Sequence, residues 1–144
     1  MPANPPPGMP RITAYLLYED VAGALDWLTK AFGLRERMRI ADPGGRVSHA
    51  EMELEEGVVM LGCPGPDYRN PRRLGAVTQE LYLYVDGVDE HFERARAAGA
   101  KILEKPTDQF YGDRRYRAAD PEGHHWVFAE HVRDVAPEDM KPPA

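Results

Sequence analysis

An internal repeat divides this chain into two similar halves. The segment YLLYEDV at residues 15–21 is matched by YLYVDGV at residues 82–88, so the two copies lie 67 positions apart at both ends. In each copy a strand pattern leads into an amphipathic helix. The inward positions, spaced by three and four residues, are Val21, Leu25, Leu28 and Phe32 in the first copy and Val88, Phe92 and Ala95 in the second. Three further strand patterns follow each helix, which predicts one βαβββ unit used twice.

The elements of the two units can be placed from apolar alternation and turn residues. In the first unit we expect strands at 12–18, 36–40, 47–54 and 57–63 around a helix at 21–32. In the second we expect strands at 80–85, 101–103, 115–119 and 124–130 around a helix at 88–98. The predicted organisation is a flexible Pro-rich arm (1–10), a first unit (11–63), a linker (64–77), a second unit (78–131) and a C-terminal tail (132–144), forming one structural domain overall.

Composition excludes several classes of partner. With 24 acidic and 18 basic residues the formal charge is −6, which gives no basic surface for a nucleic-acid backbone. No apolar run approaches the roughly 20 residues that a membrane span needs, and the first ten residues lack the features of a signal peptide. The single Cys63 excludes an internal disulfide framework. We therefore expect a cytoplasmic protein that binds neither nucleic acid nor membrane.

Four segments together resemble a known family. They are HAEMELEEGVVML (49–61), DQFYGDR (108–114), DPEGHHW (120–126) and HVRDVAPEDM (131–140). Together with the two βαβββ units they are similar to the glyoxalase/bleomycin-resistance/dioxygenase superfamily, also called the vicinal oxygen chelate superfamily, and more narrowly to its PhnB-like branch. The resemblance implies an α+β fold in which two βαβββ repeats form curved mixed sheets around a cavity. It also implies a homodimer that completes the cavity.

Metal-dependent members of that superfamily hold a divalent ion with one ligand from the first strand and one from the last strand of each unit. Register with the family places these positions at Thr13, Met60, Glu80 and Val127. Only the carboxylate of Glu80 is a suitable ligand, since a thioether and an aliphatic carbon do not hold such an ion. We therefore predict no metal site and no cofactor, with a divalent metal as the minority alternative.

Histidines and acids offer weak catalytic candidates. His49 and Glu51 fall on one face of their strand, which suits either a general base supported by a carboxylate or a half-buried pair at a sheet edge or dimer seam. Glu80 is the third candidate. His124 and His125 point to opposite faces, whereas His91 is expected on a solvated helix surface. The acids and arginines of 108–117 form either a clamp for an anionic ligand or pairs with one another.

Aromatic residues indicate what the cavity holds. Tyr15, Tyr82 and Tyr84 share strand faces with the family's ligand positions, and they either line a pocket or fill the space between the sheets. Phe110 and Tyr111 belong to a loop that is expected to close over the mouth. The predicted ligand-binding set is Thr13, Tyr15, Met60, Glu80, Tyr82, Phe110, Tyr111 and Val127.

These observations favour a metal-independent binding protein for a hydrophobic or aromatic small organic molecule, held in a dimer-associated cavity. The alternative is an enzyme of the same superfamily, namely a metal-dependent lyase, isomerase or dioxygenase, or one that transfers protons without a metal. A third possibility is an interaction module whose sheet face serves only dimerisation. Fold alone does not choose among them.

Overall fold

The computed structural model describes residues 1–144 and contains two four-stranded mixed sheets. The first unit contains β1 (Ala14–Leu17), α1 (Val21–Phe32), β2 (Arg35–Ala41), β3 (Val47–Leu54), β4 (Gly57–Gly62) and the short α2 (Pro71–Leu74). The second contains β5 (Glu80–Tyr84), α3 (Val88–Ala97), β6 (Lys101–Asp108), β7 (Asp113–Ala119) and β8 (His125–His131), followed by a 3-10 turn at Pro137–Asp139. The predicted α+β class with two βαβββ repeats is confirmed.

Both sheets share one topology. Their strand orders are β1-β4-β3-β2 and β5-β8-β7-β6, so the first strand of each unit pairs in parallel with the last one. Inter-residue contacts divide the chain into two compact units, Met1–Leu74 and Gly75–Ala144. None of the helices is both long enough and apolar enough to cross a bilayer.

The first unit buries one face of its sheet under α1. The helix begins at Asp20, whose side chain accepts a 3.0 Å hydrogen bond from the backbone N–H of Gly23. It ends at Gly33, whose φ of 72° is the left-handed conformation that a residue without Cβ adopts freely. The residues that form this core are Leu25, Leu28 and Phe32 of the helix and Ala50, Met52 and Leu61 of the sheet.

The second unit packs α3 on an aromatic face of its sheet. The ring of Phe92 meets Tyr116 edge-on with centroids 5.3 Å apart, and Tyr116 stacks on Phe128 at 5.4 Å. His91 is not the solvated residue we expected. Its Nδ1 lies 2.5 Å from the Tyr116 hydroxyl, and its ring lies 4.3 Å from that of Phe128, because His91 is on the inner side of α3 beside Phe92.

Several predicted boundaries differ from the structure. Strand β6 extends to Asp108 rather than ending near 103, since Pro106 is tolerated in a strand at the edge of a sheet. Strand β7 begins at Asp113, two residues before the predicted start, and β8 spans His125–His131 rather than 124–130. The segment 109–112 is therefore a tight connection between two strands.

The segments expected to be a linker and an arm both contact the first sheet. The Tyr68 hydroxyl donates to the carbonyl of Leu17 at 2.8 Å, and Asn70 N–H donates to the Glu19 carboxylate at 3.0 Å. Near the N-terminus, the Arg37 guanidinium donates to the carbonyl of Gly8 at 2.9 Å. A surface groove of about 480 Å³ is lined by residues 8–10 together with Arg37, Glu53, Glu55, Glu56 and Val58. The groove contains none of the predicted ligand-binding residues.

Candidate functional site

The second sheet carries two exposed tyrosines on the face opposite α3. Paired residues of neighbouring strands share a face, and α3 contacts the face of Tyr116 and Phe128. The opposite face therefore carries two rows that run across β5, β8 and β7. They are Tyr82, Val127 and Arg117, and then Tyr84, Ala129 and Arg115. We call these six residues the tyrosine face.

The tyrosine rings of this face are exposed to solvent, whereas the aliphatic side chains beside them are buried. Tyr82 is 40% exposed and Tyr84 is 59% exposed, whereas Val127 and Ala129 are fully buried. The two rings meet edge-on with centroids 5.6 Å apart. Exposed aromatic rings beside a buried aliphatic floor are typical of surfaces that bind other molecules.

A buried carboxylate fixes both phenols. Asp113 is 2% exposed, and its Oδ2 accepts hydrogen bonds from the hydroxyls of Tyr82 at 2.6 Å and Tyr84 at 2.8 Å. Its Oδ1 lies 2.8 Å from Nδ1 of His131, whose Nε2 lies 2.7 Å from a carboxylate oxygen of Asp134. Five side chains are thus connected in a hydrogen-bonded cluster that extends from the tyrosine face to the C-terminal segment.

The hydrogen bonds of this cluster determine its protonation. Burial opposes ionisation of Asp113, but the hydrogen bonds from Tyr82, His131 and Tyr84 outweigh it and lower the pKa of Asp113. The hydrogen bond to Asp113, followed by that to Asp134, raises the pKa of His131. Burial and the Asp113 carboxylate raise the pKa of Tyr82, and the same carboxylate raises the pKa of Tyr84. The cluster therefore contains an ionised Asp113 and two phenols that keep their protons.

The connection 109–112 brings two more aromatic rings to this end of the sheet. Phe110 and Tyr111 meet edge-on at 5.1 Å, and the Tyr111 hydroxyl oxygen lies 3.2 Å from that of Tyr82. Gly112 adopts a φ of 101°, and a Cβ on it would collide with the backbone oxygen of Arg133. The C-terminal segment therefore packs against this connection at a point where only glycine fits.

The other charged residues of this region pair with one another. Both the Nε and Nη2 of Arg117 donate to one oxygen of Glu80, at 3.1 and 2.7 Å. Arg114 binds Asp89 at 2.9 Å and Asp108 at 3.2 Å, and Arg115 lies 3.7 Å from Glu104. Pairing, rather than a free anion clamp, describes these arginines. Asp113 is the exception, because its partners are tyrosines and a histidine.

The first unit places Tyr15, His49 and Glu51 in one chain of contacts. The Tyr15 hydroxyl lies 2.7 Å from Nδ1 of His49, and His49 Nε2 lies 3.9 Å from a Glu51 oxygen. Tyr15 is 50% exposed, and its ring passes directly over Gly62, where an added Cβ would lie 2.5 Å from the hydroxyl oxygen. Gly62 therefore permits the ring to reach His49. The predicted proximity of His49 and Glu51 is present, and the phenol is an added partner.

The superfamily's metal positions do not provide a ligand set. Thr13 lies before β1, Met60 pairs with Tyr15 in the sheet, and Val127 is fully buried. The carboxylate of Glu80 is bound to Arg117, although His125 stands beside it on β8. Nowhere in the chain do three or more His, Cys, Asp or Glu side chains form a group that could hold a metal ion. These side chains do not fit a divalent ion.

Sequence reasoning considered Asp113 only as one of the charged residues of a possible anion clamp at 108–117, and it did not identify His131 as a site residue. The predicted start of β7 at 115 left Asp113 in a loop, where its face could not be assigned. Extending the strand's alternation by two residues would have placed Asp113 on the face of Arg115 and Arg117. No sequence signal pointed to Gly62, because its role is to leave space for the ring of Tyr15, which lies on a different strand.

Comparisons with known proteins agree with this architecture. A family model described as "Glyoxalase/Bleomycin resistance protein/Dioxygenase superfamily" matches residues 9–128. An uncharacterised protein of Mycobacterium bovis is 35% identical over 138 residues, which cover 92% of this chain and 90% of that protein. The crystal structure of TioX from Micromonospora sp. ML1 is 35% identical and covers 86% of this chain and 100% of TioX, with a TM-score of 0.71.

More distant structures share the fold alone. The fosfomycin resistance protein FosX from Listeria monocytogenes is 15% identical, and the alignment covers 92% of this chain and 98% of FosX with a TM-score of 0.62. At that identity the likeness concerns the arrangement of strands and helices and leaves the chemistry open.

Proposed function

Because the chain belongs to the Glyoxalase/Bleomycin resistance protein/Dioxygenase superfamily, we propose that it is a metal-independent binding protein for a hydrophobic or aromatic small organic molecule. The observation that supports this most directly is the tyrosine face. Two exposed rings are held in fixed positions by a buried carboxylate. A site whose aromatic groups are already ordered loses less conformational entropy when a ligand stacks on them.

The chemistry of the tyrosine face suits a planar ligand. Tyr82 and Tyr84 provide the exposed ring surfaces, whereas Val127 and Ala129 are fully buried beside them and do not contact a ligand directly. Each aromatic contact adds roughly 0.5–1.5 kcal/mol beyond the apolar area that it covers. Phe110 and Tyr111 extend the aromatic surface. In the first unit, Tyr15 and Met60 offer a second contact surface of the same kind.

The role of Glu80 in this proposal differs from the role that the sequence suggested. We expected its carboxylate to meet a cationic or hydrogen-bond-donating group of the ligand, but the structure pairs it with Arg117. The buried carboxylate that organises the site is Asp113. The side chains at Thr13, Met60, Glu80 and Val127 do not form a suitable ligand set, which supports a function that requires no metal. We also propose that no other cofactor is required.

Three further features complete the proposal. We place the chain in the PhnB-like branch on the four segments quoted above, and we propose a homodimer whose second subunit completes the ligand cavity. We also propose a cytoplasmic location, which agrees with the single cysteine and the acidic composition. Size-exclusion chromatography with light scattering tests the dimer directly.

A thermal-shift screen of planar aromatic compounds tests the binding function. Binding to the native state raises the midpoint of unfolding, and a hit should then be measured by calorimetric titration. Tyr84→Leu removes an exposed ring and should weaken the hit about fivefold to tenfold. Arg96→Ala, on the exposed side of α3, is the control and should leave affinity unchanged. A screen without hits, or a hit that Tyr84→Leu does not affect, would contradict the proposal.

A second candidate function is supported by the contacts of Tyr15. A phenol bonded to an imidazole, with a carboxylate at the far side of that imidazole, is an arrangement that transfers protons. Tyr15 would accept a proton from a carbon beside a carbonyl group as its own proton passes to His49. Return of that proton to a neighbouring carbon would make the protein an isomerase that needs no metal.

Proton exchange distinguishes this candidate from simple binding. A methylglyoxal–thiol adduct incubated with the protein in D₂O should lose its exchangeable C–H signal in the proton NMR spectrum. His49→Ala should reduce that rate by at least about a hundredfold. Unchanged exchange in His49→Ala, or no exchange above the buffer rate, would count against proton transfer.

A further inference from the structure

We propose that the tyrosine face selects ligands that donate hydrogen bonds, so that its preferred compounds carry an N–H or O–H group at the edge of a planar ring. This inference rests on the proposed binding function and names the chemical class of its ligand. It follows from the positions of the phenol protons. A phenol has one proton to donate and two lone pairs that accept.

Both tyrosine protons are directed to Asp113. Its Oδ2 accepts from Tyr82 at 2.6 Å and from Tyr84 at 2.8 Å, and a carboxylate can only accept in these contacts. The Asp113 side chain is 3% exposed, so a ligand that displaced the phenols would leave its buried Oδ2 without a hydrogen-bond donor. What Tyr82 and Tyr84 offer to a ligand is therefore the lone pairs of their oxygens.

Tyr111 extends the same pattern. Its hydroxyl oxygen lies 3.2 Å from that of Tyr82. Since the Tyr82 proton is donated to Asp113, Tyr111 is the donor in this contact. The proton of Tyr111 is then used inside the protein as well, and three neighbouring phenol oxygens present acceptors.

The hydrogen-bond donors of this face lie on another strand. Arg115 and Arg117 are on β7, whose backbone is separated from that of β5 by β8, a distance of roughly 9–10 Å. The hydroxyls of Tyr82 and Tyr84 nevertheless reach Asp113 at the start of β7. Arg117 is bound to Glu80, while Arg115 Nε has no hydrogen-bond partner and lies 3.7 Å from Glu104. Neither the buried Nε of Arg115 nor the Glu80-bound Arg117 is a free donor for a ligand, so the phenol oxygens are the polar groups of this face that we expect a ligand to meet.

Three coumarins that differ in one substituent test this selectivity. The probes are 7-amino-, 7-dimethylamino- and 7-methoxy-4-methylcoumarin, which are uncharged, fluorescent and equally planar. Each has a ring carbonyl that can accept, but only the amino compound donates at the opposite end. Fluorescence titration should show the amino compound binding about fivefold to tenfold more tightly than the other two.

Variants locate the preference. Tyr84→Phe removes one of the three phenol oxygens, and Tyr82→Phe removes another. Each keeps its ring and leaves Asp113 bonded to the other tyrosine and to His131, so each should fold and should reduce the preference by about twofold or more. Tyr68→Phe, which removes a phenol hydroxyl bonded to Leu17 in the first unit, is the control and should retain the full preference. Circular dichroism verifies that all three variants are folded.

The outcomes separate the two levels of inference. Binding of all three coumarins with equal affinity, or tighter binding of the methoxy compound, overturns the selectivity and leaves the binding function in place. Failure of all three to bind refutes the proposed function for planar ligands and the selectivity with it. A preference that neither Tyr84→Phe nor Tyr82→Phe reduces also overturns the assignment, because the donor group of the ligand would then be recognised at another place.

Discussion

Replacement of Asp113 is the most informative perturbation of the second unit. This carboxylate accepts two phenol hydrogen bonds and contacts His131, and its side chain is 3% exposed. Asp113→Ala removes the acceptor from Tyr82, Tyr84 and His131 at once. Asp113→Asn keeps an amide oxygen that can still accept from a phenol, but it removes the charge opposite His131.

The expected cost can be worked out from the partners. A hydrogen bond to a charged group contributes about 1.5–3 kcal/mol when it is buried. Because Tyr82 and Tyr84 are 40% and 59% exposed, water can replace part of each bond, and we count about 1 kcal/mol for each. Counting the two phenol hydrogen bonds alone, Asp113→Ala should therefore reduce the free energy of unfolding by at least about 2 kcal/mol, and Asp113→Asn by about 1 kcal/mol. For a chain of this length, 2 kcal/mol lowers the melting temperature by roughly 4–8 °C.

Urea denaturation followed by tryptophan fluorescence measures this effect, since Trp126 is fully buried in the same unit. Asp108→Ala is the matched control, because Asp108 is 67% exposed and pairs only at the surface with Arg114. It should cost less than about 0.5 kcal/mol. A loss for Asp113→Ala within about 0.5 kcal/mol of the control would refute the view that this carboxylate organises the tyrosines.

Three other changes test separate features. The pKa of His131 is raised in the folded state, so its contribution to stability is complete below about pH 6.5 and is lost as pH rises through the folded-state pKa. In thermal melts, His131→Gln should therefore destabilise the protein at pH 5.5 and much less at pH 9. An equal difference in melting temperature at the two pH values would contradict this. Gly62→Ala should move the Tyr15 ring away from His49 while changing the free energy of unfolding by less than about 1 kcal/mol. NMR of the His49 ring measures this, and an unchanged tautomer would contradict the displacement. Gly112→Ala should cost at least about 2 kcal/mol in urea titrations, clearly more than Gly99→Ala, which has the same backbone strain at a φ of 92° but nothing near its Cβ.

The two repeats have diverged at one position of the same strand pattern. Tyr15 and Tyr82 are equivalent, and each lies beside the last strand of its own sheet. In the first unit Gly62 leaves room for the ring of Tyr15 to reach His49. In the second unit Ala129 occupies the equivalent position, and Tyr82 donates to Asp113 instead. The equivalent phenols of the two units therefore have different partners, a histidine in the first unit and an aspartate in the second.

The locally encoded features were those that the sequence predicted well. Helix α1 was found from its apolar spacing, the cap at Asp20 and the glycine at its end, since all three act within a few residues. Pairing of acids with arginines followed from their density. The length of β6 was missed, because Pro106 suggests a break unless one knows that the strand lies at an edge. His91 was predicted to be solvated because most of its neighbours on α3 are charged, and the sequence did not show that its ring faces the sheet.

The repeat and the strand alternation were sufficient to predict the duplicated βαβββ architecture, the shared face of Tyr82 and Tyr84, and the lack of a suitable ligand set at the superfamily's metal positions. The groups that the phenols contact became apparent only from the folded chain. Asp113 and His131 are 18 residues apart and meet because β7 and β8 pair in antiparallel register. Hydrogen-bond partners across strands depend on register and on the path of each ring, and neither is encoded by the residues next to it in the chain.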